Sequence, residues 1–290
     1  MPKTHLVTYG TPRFWPRILC FGLAARHFGV CDTFDWWSPR RVLQGNFRTL
    51  APTISLSETG AGFWAWKPYL IYQTLQDVPD GDIVIYCDVG RSYPYKLLTE
   101  QMTSFERWMV SANQDFFPGV QIQEHHGPMS RFTKRDTFVL MGMDQKEVHA
   151  GPVVQASFSL WKKSPVSLRF CKEWRDLCMN RAIVGDDPSQ CGCPELPDFY
   201  EHRYDQSVLS LLCFRDGAQS LLAPPGADPQ DLKHPNFTGR IMDGREGSSM
   251  HTPLPLYLRL LVGSCTAVER SIRKKVRFRT EVVVPLKDAR

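Results

Sequence analysis

The chain has 290 residues, of which 42% are hydrophobic and 22% charged, and its formal net charge is +5. That balance is ordinary for a globular protein, so disorder is not the first reading, and the length fits one large domain or one domain with a small appendage. A modest positive charge suits anionic small ligands as well as nucleic acid and selects neither.

The opening MPKTHLVTYG carries no apolar h-region. No window approaches the roughly 18 apolar residues that a membrane-spanning helix needs, so a cytoplasmic protein is expected. The nine cysteines form an odd set without framework spacing and are expected as reduced thiols. Cys191-Gly192-Cys193 with Cys171 and Cys178 raises a zinc site as an alternative, but the spacings make no CxxC pair.

Taken along the chain, His5–Tyr9 reads as a first strand ending at Gly10, followed by a helix over Trp15–Phe28. Phe34–Trp37 reads as a second short strand, closed by Ser38-Pro39. Gly60 to Pro68 (GAGFWAWKP) is a loop that opens a helix through Leu70, Ile71 and Leu75. After the Asp80-Gly81 turn, Asp82–Cys87 is an apolar β-branched run of the kind buried on both faces of a parallel sheet. This alternation predicts an α/β doubly wound, mostly parallel central sheet flanked by helices.

Further on, a helix is expected over Leu97–Asn113, a strand over Val153–Trp161 and a helix over Val166–Asn180. Asp186–Tyr200 reads as a Pro-, Gly- and Cys-containing loop, and a helix follows from Tyr204–Asp205 to Phe214. Residues 223–253 are irregular. Leu256 to Arg279 reads as a basic helix, so the division expected is a domain over 1–255 and a basic tail over 256–290. The tail is either a packed helix with a solvated basic side or a peripheral contact with an anionic membrane.

Asp88 carries the most information. In open α/β sheets ligands collect at the carboxyl ends of strands, and Asp88 follows the DIVIYC run with Gly90 two residues on. A carboxylate there can approach a metal or a ribose, or it can simply cap a strand. Lys67 adds positive charge at a helix start, where free N–H groups attract phosphate. Trp64 and Trp66 can stack on a base or a sugar, and one of the two is expected to be structural. Arg135 with Asp136 can grip hydroxyls and phosphate, or form an exposed ion pair. Gln155 is a polar side chain in an apolar strand, and Asp205-Gln206 sits at a helix entry.

In order, VTYG, GxGxWxWKPYxI, DGDIxIYxDxG, TKRDxF, a Gln-Ala strand and EHRxDQSVLSLL resemble a family of bacterial and viral polysaccharide-type glycosyltransferases over roughly residues 3–215. The last element is also similar to the Asp-Gln element of the glycogenin-like and lipopolysaccharide galactosyltransferase family. The resemblance implies a Rossmann-like GT-A fold and sugar transfer from a nucleotide diphospho-sugar to a glycan or glycolipid, in cell-surface polysaccharide synthesis. It implies donor binding by Tyr9, Trp66, Lys67, Asp88, Gly90, Arg135 and Asp136, and reaction beside Asp205, Gln206 and Gln155.

It also implies a divalent metal, Mn2+ or Mg2+, on Asp88 with His234 or His251. Gly90 stands where the family's Asp-x-Asp places its second carboxylate, and the family's histidine element is missing. Retaining and inverting outcomes both stay open. The alternatives are a sugar nucleotidyltransferase, whose phosphate loop is absent at Gly10-Thr11-Pro12-Arg13, and a non-catalytic nucleotide- or carbohydrate-binding protein. No nucleic-acid partner is expected. Attachment at the inner face of a membrane would follow from the basic tail.

Overall fold

A computed structural model describes residues 2–27, 29–89, 109–110, 112–121 and 127–222. Their strands and helices follow each other as β1 (Thr4–Tyr9), α1 (Trp15–His27), β2 (Thr33–Trp37), α2 (Pro39–Gln44) and α3 (Phe47–Leu50), then the single turn α4 (Gly60–Phe63) and α5 (Trp66–Asp77). Next come β3 (Ile83–Cys87), β4 (Phe116–Phe117), β5 (Val120–Gln121), α6 (Met129–Phe132), α7 (Arg135–Leu140) and α8 (Lys146–His149). The last are β6 (Val154–Gln155), β7 (Phe158–Lys162), α9 (Pro165–Cys178), α10 (Arg181–Val184), α11 (Tyr204–Asp216) and β8 (Leu221–Leu222).

The architecture is α/β, with a five-stranded sheet in the order β2-β1-β3-β7-β4 and a small second sheet β6-β5-β8. Strands β2, β1 and β3 run parallel, whereas β7 pairs antiparallel with both β3 and β4. The sheet is therefore mixed, with β7 the one reversed strand among the five.

Strand β3 is buried along its whole length, as its apolar run predicts. Its side chains alternate between two cores. Ile83, Ile85 and Cys87 join Phe21 of α1, Phe132 of α6 and Phe138 of α7. Val84 and Tyr86 join Trp66 and Leu70 of α5, Trp174 of α9 and Leu209 of α11. That parity carries one step further and puts Asp88 on the α5–α11 side.

The single strand expected over Val153–Trp161 is two strands in two sheets. The chain leaves β6 at Gln155 and enters β7 at Phe158, and the Ser157 carbonyl accepts the Asp88 N–H at 2.9 Å. A polar handover at Ala156–Ser157, where the Ala156 N–H donates to Gln206 Oε1, interrupts what reads as one apolar run. Helix α9 begins at Pro165 under a Ser164–Ser167 capping box, and α11 ends at Gly217 in the left-handed conformation. Of the helix expected over Leu97–Asn113, Met109 and Val110 are helical, Ala112 and Asn113 form a turn, and the rest lies outside the described residues. The basic tail and the 223–253 segment lie outside them too.

Among the described residues Cys31, Cys87, Cys171, Cys178, Cys191, Cys193 and Cys213 are free thiols. Cys20 departs from the expectation, since it is disulfide-bonded. Cys171 and Cys178 pack in the core and stay apart from Cys191 and Cys193, which lie in an open loop. No helix among the described residues is long and apolar enough to cross a membrane.

Candidate functional site

Three distant segments meet at the carboxyl end of β3. Lys67, in the first turn of α5, is buried to 4% exposure, and its ammonium lies 3.0 Å from Asp205 Oδ2 and 3.9 Å from Asp88 Oδ1. Asp205, in the first turn of α11, is likewise buried. Tyr86, two residues before Asp88 on the same face, donates its phenol proton to Asp88 Oδ1. Trp174 Nε1 donates to the Asp205 carbonyl at 3.0 Å and ties α9 to the start of α11.

The electrostatics follow from burial. Burial raises the Asp205 carboxyl, against the pull of Lys67, to about 6. Burial pulls the Lys67 ammonium down, but Asp205 and Asp88 outweigh it and the net direction is up. Burial and then the Asp88 charge push the Tyr86 phenol well up, so it remains a proton donor. Asp205 Oδ2 faces the ammonium but has no aligned hydrogen-bond donor, and the buried Gln206 Nε2 has no acceptor among the described residues.

These groups form the floor of a cavity of about 970 Å³. One wall carries Trp64 and Tyr204, whose rings are 5.1 Å apart. The backbone beneath them is unusual. Gly60, Ala61, Gly62, Phe63 and Trp64 all have positive φ, from 56° to 91°, and so does Tyr204 at 54°. A left-handed L-residue costs roughly 1–2 kcal/mol, so Ala61, Phe63 and Trp64 together store on the order of 3–6 kcal/mol. The arch holds because Trp66 Nε1 donates to the Gly60 carbonyl at 2.9 Å and the Lys67 N–H donates to the Trp64 carbonyl at 2.8 Å. The strained turn thus feeds directly into the helix that carries Lys67.

The other wall is the 186–195 loop, and the Thr133–Asp136 segment builds it. Asp136 accepts the backbone N–H groups of Gln190 and Cys191 at 2.7–2.9 Å, and the Arg135 N–H donates to Glu195 Oε2 at 2.7 Å. Lys134 Nζ donates to the Asp187 carbonyl at 3.3 Å. His202, buried behind the loop, is fixed as one tautomer: its Nε2–H donates to the Ile183 carbonyl and its Nδ1 accepts the Lys134 N–H. Burial, with the Lys134 charge, lowers its pKa to about 3, so it is neutral. The cavity lining carries six carboxylates, Asp88, Asp186, Asp187, Glu195, Glu201 and Asp205, against three cations, Lys67, Lys134 and Arg203.

Of the residues singled out in the sequence, Lys67, Asp88, Gln155, Asp205 and Gln206 converge on this cavity. Trp64 lines it too, whereas Tyr9, Trp66, Arg135 and Asp136 do not. Trp66 is a core residue stacked on Tyr9 at 3.8 Å, and Trp64 faces the cavity in its place. The Arg135 guanidinium pairs with Asp144, and Asp136 is spent on the loop. Gly90, His234 and His251 lie outside the described residues.

Lys134, Tyr86 and Tyr204 were missing from the candidates. Lys134 and Tyr204 each sit one residue from a candidate, and Tyr86 shares the Asp88 face by strand alternation. A divalent metal finds no ready donor set here, because no group of three or more His, Cys, Asp or Glu side chains forms among the described residues. Asp88 Oδ1 already takes the Tyr86 proton and faces a buried ammonium. Compared with protein-family models, curated proteins and solved structures, the chain matches none.

Proposed function

We propose that this chain is a GT-A-type glycosyltransferase that moves a sugar from a nucleotide diphospho-sugar to a glycan or glycolipid acceptor. The observation that carries the reading is the convergence of Asp88, Lys67 and Asp205 from β3, α5 and α11 on the floor of one large cavity. Ligands of α/β sheets bind at the carboxyl ends of strands, which is where Asp88 stands. The α/β sheet, parallel across β2, β1 and β3, is compatible with the Rossmann-like part of the reading.

In this reading the ribose of the nucleotide lies against Asp88, the diphosphate faces Lys67, and the transferred sugar lies over Asp205 and Gln206. When the bond from the anomeric carbon to the diphosphate oxygen breaks, negative charge grows on the leaving group. Of the three lining cations, Lys67 and Lys134 are the two this reading assigns to stabilise it, Arg203 being paired with Glu201. Lys67 is held by Asp205 and Asp88 until then. Gln206 presents a buried, unsatisfied amide donor to a sugar hydroxyl. No step is assigned to a metal ion, since the described residues do not supply its ligands.

The test is thermal shift of the purified chain with a panel of nucleoside diphosphates and their sugars, each with manganese and with a chelator. A ligand at 100 times its Kd stabilises by about 2.7 kcal/mol, which a melting curve resolves. The reading predicts that one nucleotide class raises the melting temperature and that Asp88→Asn removes the shift. It fails if no nucleotide binds under either condition.

A further inference from the structure

We infer that the outer half of the cavity, between the Trp64–Tyr204 wall and the 186–201 carboxylates, is a subsite for an uncharged sugar ring that excludes acidic sugars. Three observations meet there. Trp64 and Tyr204 are half-buried rings that pack on the edge of the core and line one wall, at residues with left-handed backbone. Aromatic faces pack against the C–H face of a pyranose. Backbone strain of this kind collects at ligand clamps.

Next, acceptors and donors surround that space. Asp186 accepts from Thr59 through Oδ2, and Glu201 pairs with Arg203 through Oε1. Among the described residues no donor is assigned to their second oxygens. At the floor, Gln206 Nε2 is a buried donor without an acceptor. A hydroxyl both donates and accepts, so a ring bearing several of them satisfies all three groups. Finally, four of the six lining carboxylates, Asp186, Asp187, Glu195 and Glu201, come from the 186–201 segment, apart from the Lys67 floor. A uronate, sialate or sulfate would meet like charge from Asp186 and Glu201, which stand exposed at the mouth of the cavity.

The ring belongs either to the donor's transferred sugar or to the acceptor's terminal sugar. The inference rests on the proposed function only for that assignment, not for the subsite itself. The experiment has two arms on the full chain. One titrates UDP-glucose, GDP-mannose, UDP-glucuronic acid and the bare diphosphates, read by tryptophan fluorescence. The other incubates the chain on an array of neutral, uronic, sialylated and sulfated glycans.

The expected result is binding of neutral sugars in at least one arm, acidic analogues at least tenfold weaker, and a tenfold or greater loss in Trp64→Ala. Glu201→Lys, an exposed site that leaves the arch intact, is expected to narrow the neutral-over-acidic preference at least several-fold. Retention of neutral glycans without any nucleotide binding keeps the subsite and removes the transferase reading. Acidic sugars binding as well as neutral ones, or no sugar contributing in either arm, overturns the inference.

Discussion

Replacing Lys67 by methionine isolates the buried charge cluster from the rest of the fold. Methionine keeps the length and most of the volume of the side chain while removing the ammonium that stands 3.0 Å from Asp205. Breaking a buried ion pair from one side costs about 3–5 kcal/mol, because Asp205 is then buried without a partner. At roughly 2–4 °C per kcal/mol for a domain of this size, Lys67→Met is expected to melt some 6–20 °C lower at pH 8. The pH dependence has a definite sign. Asp205 has a native pKa above its ordinary 3.8, so the folded state binds the extra proton and stability falls as pH rises through that window. Without Lys67 the native pKa climbs beyond about 6, so the loss should be smaller at pH 5 than at pH 8. Adding Asp205→Asn to Lys67→Met removes the orphaned charge and should recover most of the loss. Urea unfolding of the four proteins at both pH values gives the double-mutant cycle. Additive single effects, or a loss in Lys67→Met below about 1 kcal/mol, would refute the buried pair.

Other consequences can be checked alongside. Ala61→Gly should raise stability by about 0.5–1 kcal/mol in urea unfolding, since glycine takes φ 57° without the penalty that alanine bears. Gly60→Ala should do the reverse and displace Trp64, because a Cβ there would lie 2.1 Å from the indole; near-ultraviolet dichroism reads the indole's surroundings. His202 binds no proton natively until about pH 3, whereas its unfolded form does so near 6.5. Its contribution to stability is therefore full above pH 6.5 and falls with pH below it, and His202→Gln should flatten that limb of the acid-unfolding curve. Asp136→Ala leaves the N–H groups of Gln190 and Cys191 unpaired, at a cost of about 1–3 kcal/mol. Hydrogen exchange at those two amides should speed up while exchange in β3 is unchanged.

Much of the site could be read before the fold was known, and the reason is local. The DIVIYC run fixes β3 as a buried strand, and alternation then places Val84, Tyr86 and Asp88 on one face. Lys67 and Asp205 were accessible for the same kind of reason, since each sits where a periodic apolar pattern begins. What was not legible depends on backbone conformation and on long-range pairing. Trp64 and Trp66 differ by two positions, yet a left-handed turn sends one to the cavity and the other onto Tyr9. No periodicity reports such a turn when alanine and tryptophan occupy it. Arg135 and Asp136 have the right chemistry for a donor sugar, but the Asp186–Glu195 loop claims Asp136 and the Arg135 N–H first, and Asp144 claims the guanidinium. The split of Val153–Trp161 into β6 and β7 is a tertiary event, because the two halves pair with strands about 35 and 75 residues away along the chain.

The central claim is that the Asp88 cavity breaks the bond between a sugar and a nucleoside diphosphate. The most direct measurement is nucleoside diphosphate release from a panel of nucleotide sugars, comparing the unaltered chain with Asp88→Asn under matched conditions, with and without candidate acceptors. The account predicts release from one donor class, raised by an acceptor and reduced about tenfold or more by Asp88→Asn, the size of loss expected when a hydrogen bond to a charged acceptor is weakened. Absence of release from every donor, or equal release by the two proteins, would contradict it.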